Sequence, residues 1–208
     1  MKKQENNITN AYALYTYISM ETDAKCGATP NTYSESYPNP ITKYKASNYL
    51  ISYAIKRYFN IDIQEEKPMR YIKNGRGYIH GIYFSTSVCL RVICVCVSNN
   101  PVGISNQIHF PINDELEYAM HSFCKNELEE YKMKKFGEDT YYYLNAQKHA
   151  YQKKHELIYV EDLKTVDSTQ DSYTYFSDTF FDEPFYFVAT GNVEFERVDD
   201  EEILPSKV

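Results

Sequence analysis

The run Ile82–Ser98, IYFSTSVCLRVICVCVS, constrains the fold more than any other stretch of the chain. β-Branched, aromatic and cysteine side chains fill it, with Arg91 as its one charge. Such a run reads as buried and extended, either one long strand or two short ones. Cys94 and Cys96 stand two apart and share a face. Their surroundings read as core, where a free cysteine behaves as a small hydrophobe. The five cysteines follow no zinc-like spacing, so a reduced, cytoplasmic protein is the expectation. Asn99, Asn100 and Pro101 then make a turn, and VGIS begins a new short strand. A strand leaving its sheet is a favoured place to present functional groups. Here it presents Ser105, Asn106 and Gln107, all neutral.

The rest of the chain supplies helices and further strands. Residues 11–19 read as a first strand and 20–42 as a loop rich in Thr, Asn, Pro and Ser. Residues 45–61 form an amphipathic helix, with Ala46, Tyr49, Leu50, Tyr53, Ala54 and Tyr58 on one side and Lys56 and Arg57 on the other. NGRGYIHG, residues 74–81, is turn-rich. A helical pattern runs from Asp114 to Lys135, with Leu116, Met120, Phe123, Cys124, Leu128 and Tyr131 as its stripe and Asp114 and Glu115 in its first turn. A second helix covers 138–155, and ELIYV, YTYFSDTF, FYFVATG and VEFERV read as strands. The class is α+β. With 208 residues and no linker, the chain makes one large domain or two small halves sharing a core.

Charge narrows the function. The net charge is −7, and the acids gather toward the end in DEPF and ERVDDEEIL. A field of this sign disfavours general nucleic-acid binding. Residues 43–76 are locally basic through Lys43, Lys45, Lys56, Arg57, Arg70, Lys73 and Arg76. That cluster suits a small phosphorylated ligand or a solvated basic face. No segment reaches the length of a membrane span, and MKKQENNITN lacks the apolar core of a secretion signal. The 22 tyrosines build core while keeping polar tips.

In order and spacing, several segments together resemble the 4′-phosphopantetheinyl transferases of the surfactin-synthetase-activating type. That family's central run reads approximately F-N-I-S-H-S-G, an apolar strand, a turn, then P-V/I-G-I-D-I-E. This chain reads Phe84-Ser85-Thr86-Ser87-Val88-Cys89-Leu90, then RVICVCV, SNN, and Pro101-Val102-Gly103-Ile104-Ser105-Asn106-Gln107, without a gap. The family's later helix reads W-T/S-x-K-E-A/S-Y/F-x-K; here it is Asn145-Ala146-Gln147-Lys148-His149-Ala150-Tyr151-Gln152-Lys153. Gly75-Arg76-Gly77-Tyr78 looks like its G-K-P-Y. The resemblance runs from about Thr42 to Leu204. It implies a pseudo-dimer of two similar α+β halves, residues 1–100 and 101–208, acting as a monomer.

The resemblance also implies a reaction and marks what is missing for it. The family moves phosphopantetheine from coenzyme A to a carrier-protein serine, with Mg²⁺ held by the Asp and Glu of the strand and the Glu of the helix. Here those positions are Ser105, Gln107 and His149, which bring no formal negative charge to a hard cation. The motif histidine is Val88 and the helix tryptophan is Asn145. Ligand-side positions persist as Ser87, Lys148, Lys153 and Arg76, with Lys43 or Lys45 ahead of the first helix. The expectation is a non-catalytic homologue without Mg²⁺, binding an acyl or peptidyl carrier protein of secondary metabolism and keeping a possible coenzyme A site. The alternative is an active, divergent transferase using substrate phosphates, Asp114 or Glu115, and His149 as base, with Lys153 on the pyrophosphate. A third reading is another enzyme in the same pocket, with Cys89 as the one positionally interesting nucleophile. His109, His121, His149 and His155 lack the i, i+4 pairing of a helical metal site.

Overall fold

The structure is a computed structural model, described for residues 11–26, 36–63, 66–157 and 163–203. Its strands are β1 (Ala11–Tyr17), β2 (Arg76–Ile79), β3 (Ile82–Cys89), β4 (Val92–Ser98), β5 (Ile104–Ile108), β6 (Tyr173–Phe180), β7 (Glu183–Thr190) and β8 (Val193–Arg197). Its α-helices are α1 (Met20–Lys25), α2 (Pro40–Phe59), α3 (Glu115–Ser122), α4 (Lys125–Lys132), α5 (Thr140–Lys154) and α6 (Asp200–Ile203). The α+β class holds. No helix among the described residues is long and apolar enough to cross a membrane.

The central run becomes a hairpin of β3 and β4, turning at Leu90 and Arg91. Every residue of β4 is buried because both of its faces are covered. Ile93, Val95 and Val97 face α2 through Leu50, Ala54 and Ile55, together with Leu14 of β1. Val92, Cys94 and Cys96 face the second sheet through Ile104, Ile108, Phe185 and Phe187. A third cluster joins Tyr186 of β7 to Tyr141, Tyr142 and Leu144 of α5. The layers therefore run helix α2, a five-stranded sheet ordered β2-β3-β4-β1-β8, a three-stranded sheet ordered β5-β7-β6, and helix α5.

The two sheets share one order of connection. β1, α2 and the hairpin β3–β4 form a unit in which the second hairpin strand returns antiparallel beside β1. β5, α5 and the hairpin β6–β7 do the same, with β7 antiparallel to β5. After each hairpin the chain crosses to the other sheet: β5 follows β4, and β8 lies parallel to β1.

Four sequence expectations are corrected. Residues 20–42 are not all loop, because Ser19 caps α1 by accepting from Thr22 N at 3.1 Å. α2 starts at Pro40, five residues earlier than the stripe suggested, because Asn39 is its N-cap and proline suits the first helical position. The helix expected over Asp114–Lys135 is two helices, broken where Phe123 and Cys124 take extended backbone. Phe123 turns into the core there, and Glu127 accepts from Cys124 N at 2.9 Å to restart the chain as α4. Leu116 and Met120, expected to pack, are exposed. Most of the expected strand ELIYV lies outside the described residues.

Arg91 at the hairpin tip is almost fully buried. It pairs with buried Asp23 of α1 and donates to the carbonyls of Ile18, Ser19 and Tyr37. One guanidinium thus ties α1 and the approach to α2 onto the hairpin.

Candidate functional site

β5 and α5 build the candidate site between them. Ile104, Asn106 and Ile108 of β5 turn toward the larger sheet, where Asn106 Nδ2 donates to Val92 O at 3.1 Å. The alternate residues Gly103, Ser105 and Gln107 therefore face α5. Gly103 lets the helix in: a Cβ there would stand 1.9 Å from Ala150 O. At the other end Asn145 Nδ2 donates to Gln107 Oε1 at 3.0 Å. Between these contacts lie Ser105 on the strand and His149 on the helix. The three expected positions thus share one strand–helix interface.

That interface does not fit a hard divalent cation. Ser105 is buried, the Gln107 amide is committed to Asn145, and His149 Nδ1 lies 3.2 Å from Gln152 Oε1. Among the described residues no carboxylate joins them, and no three His, Cys, Asp or Glu side chains converge to hold a metal. The other histidines have separate neighbours: His109 leans on Tyr142, His121 is near Glu117, and His155 meets Asp171. His149 is exposed, with Gln152 and Lys153 beside it on the helix. Lost solvation and the Lys153 charge hold its imidazole below the usual value, so it is neutral at pH 7. Burial pushes the Cys89 thiol up, away from the thiolate that a nucleophile requires.

The two helix lysines behave differently. Lys148, expected to face ligand, points inward: it is 1 % exposed and paired with fully buried Glu127. It also donates to Val166 O at 2.9 Å. Sequence spacing gave no sign of this, because the partner acid lies on another helix. Lys153 instead bridges the two sheets, donating to Thr86 O of β3 at 2.8 Å and Ile104 O of β5 at 2.9 Å. On the same seam Ser85 Oγ accepts from Ile104 N at 3.2 Å, and Ser87 Oγ from Asn106 N at 3.3 Å. Ser87 is therefore engaged with backbone.

Beside the seam opens a cavity of about 180 Å³. Tyr71 and Tyr78 wall it, and Lys73, Arg76, Lys153 and Glu156 supply its charges. That volume suits a diphosphate-sized group and falls below the about 300 Å³ of a site enclosing a larger ligand. Arg76 is held in place: it donates to Lys154 O at 2.7 Å, capping α5, and meets Glu156 at 2.8 Å. Lys43 and Lys45 are exposed on α2, outside the cavity lining. A wider opening of about 360 Å³ lies by Tyr17, Phe181 and Arg197, but Arg197 is already near Asp178.

Lys153 carries a pH signature. Among the described residues it has no carboxylate partner, and burial pulls its pKa down to about 8 from 10.5. At pH below 8 the lysine is charged in both folded and unfolded chains. Between about 8 and 10.5 the unfolded chain holds the proton and the folded one releases it, so this group makes stability rise with pH. Buried thiols and tyrosines pull the other way: Cys94, for example, is pushed up to about 12. The difference between wild type and Lys153→Met isolates the lysine. Urea unfolding across this range is expected to show that difference growing by roughly 1–3 kcal/mol in favour of wild type. A flat difference would mean the ammonium is solvated.

No protein-family model matches the chain, and a search of curated proteins finds no match.

Proposed function

We propose that the chain is a non-catalytic relative of the 4′-phosphopantetheinyl transferases, a two-lobed binding protein rather than a transferase. The strand–helix interface of β5 and α5 carries this reading. The sequence carries Ser105, Gln107 and His149 at the positions where the resemblance implies three metal-binding carboxylates, and the Asn145–Gln107 bond and the Gly103 contact hold that strand against that helix. Phosphoryl transfer from coenzyme A depends on neutralising and positioning a pyrophosphate, for which hard-cation ligands are the usual means. Three other features support the family likeness. The strand–helix–hairpin order is repeated in the two sheets, as two similar halves would have it. Lys153 sits at their seam. The cavity beside it combines cations with tyrosine walls.

In this reading the cavity takes a phosphate-bearing part of coenzyme A, with Lys73 and Lys153 supplying charge and the exposed tyrosines supplying stacking surface. The partner is a carrier protein, an acidic helical bundle suited to the basic side of the cleft. His149, neutral and exposed, favours the second reading, a divergent transferase with an imidazole base.

Incubation with coenzyme A, Mg²⁺ or Mn²⁺ and several apo-carriers separates the two. The expected result is coenzyme A binding by calorimetry, weakened about three- to tenfold by Lys73→Ala, with no gain of phosphopantetheine mass on any carrier. Such a gain would overturn the non-catalytic reading, and its loss in His149→Ala would establish the second. Absence of coenzyme A binding would remove the ligand from both.

A further inference from the structure

We propose that Glu156 is a tethered anion that occupies the cationic cavity and must be displaced before an anionic ligand enters. The inference rests on reading the cavity as an anion site and adds a regulatory element to it.

The first observation is backbone conformation. α5 ends in a Schellman motif: Leu157 N donates to Gln152 O at 2.9 Å and Glu156 N donates to Lys153 O at 3.4 Å. Glu156 is the residue just past the cap, with φ +58. That left-handed seat is the usual place of glycine, because a Cβ there crowds the following carbonyl. A glutamate is an unfavourable choice for ending the helix, so the local backbone does not account for its presence.

The second observation is where its side chain goes. The Glu156 carboxylate lies 2.8 Å from Arg76 Nη2, at the cavity. Glu156 is the one acid lining that cavity among the described residues, facing Lys73, Arg76 and Lys153. The two partners differ in freedom. The Glu156 side chain is 68 % exposed, whereas that of Arg76 is 16 % exposed. The guanidinium is also anchored through its other terminal nitrogen to Lys154 O and Lys153 O, and it lies over the Tyr83 ring. If the carboxylate swings away, Arg76 stays with one edge of its fork open toward the cavity. An incoming phosphate would take the place of the carboxylate. A fixed cation with a movable internal anion is the arrangement that competition requires.

Inorganic pyrophosphate tests this on the full chain, by calorimetry at low salt. Glu156→Gln and Glu156→Gly are expected to bind it about three- to tenfold more tightly than wild type. Glu156→Gly should also melt no lower than wild type, since glycine accepts the left-handed seat. Lys73→Ala in the Glu156→Gln background should reverse the gain, placing the anion in this cavity. Equal affinity in wild type and both variants would overturn the tethered anion and leave the anion site standing. A gain that Lys73→Ala does not reverse would place the anion elsewhere and overturn the proposal. No binding to any variant would overturn both readings together.

Discussion

Gly103→Ala is expected to destabilise the protein by roughly 3 kcal/mol or more, the upper range for overpacking a core. The added methyl would lie 1.9 Å from Ala150 O and 2.9 Å from Lys154 N, all backbone atoms of a helix with no side-chain rotation to absorb the clash. Either β5 or α5 must move. Moving either disturbs the Asn145–Gln107 bond at one end and the Lys153–Ile104 bond at the other. For a chain of this size the loss corresponds to a melting shift of about 6–12 °C. Gly81→Ala is the comparison: among the described residues nothing lies within 4 Å of its Cβ position, and its φ of +85 is what penalises a side chain. It should cost about 1 kcal/mol. Calorimetric melting of the two variants checks the contrast. A Gly103→Ala protein melting close to wild type would mean that helix and strand are not in the close contact described.

Lys148→Ala is expected to cost about 3–5 kcal/mol, because it leaves a buried carboxylate without its cation. Glu127 is fully buried and holds together more than the lysine: it accepts from Cys124 N at 2.9 Å, Ser168 N at 3.1 Å and Ser168 Oγ at 2.5 Å. The pair thus joins α5, the start of α4 and the turn at Ser168. A Lys148→Met, Glu127→Gln double variant should recover part of the loss, since the amide oxygen still accepts from the backbone and no charge is stranded. Denaturant unfolding measures both. The coenzyme A affinity proposed above should be unchanged for the folded fraction of either variant, which separates a structural lysine from a ligand-binding one. A well-folded Lys148→Ala protein with weakened coenzyme A binding would restore the role that the sequence suggested.

Legibility followed the range of the interactions. The stripe on α2 was readable because it repeats locally: Ala46, Leu50 and Ala54 are fully buried, and Tyr49, Tyr53 and Tyr58 half-buried. The break at Phe123 was not, since neither Gly nor Pro marks it and a cysteine stands where a serine or threonine cap would announce a helix start. That Ser105, Gln107 and His149 belong to one site was an expectation from motif order, and the Gln107–Asn145 bond between strand and helix was not foreseen. Of the cations named from sequence, Lys148 and Arg76 are committed to partners that no local pattern reveals.

Alternation and helical periodicity, which depend only on backbone geometry, determined from sequence alone that the chain is α+β, that Val92–Val97 is core, and that the strand leaving it presents neutral groups. Which charges face the cavity was decided by the tertiary structure. A lysine turns inward when a buried acid on another helix can pair with it, as Glu127 does for Lys148. It lodges at a seam when backbone carbonyls from two sheets converge, as Thr86 and Ile104 do for Lys153. Both outcomes depend on residues distant in sequence, and electrostatics acts on distance in space.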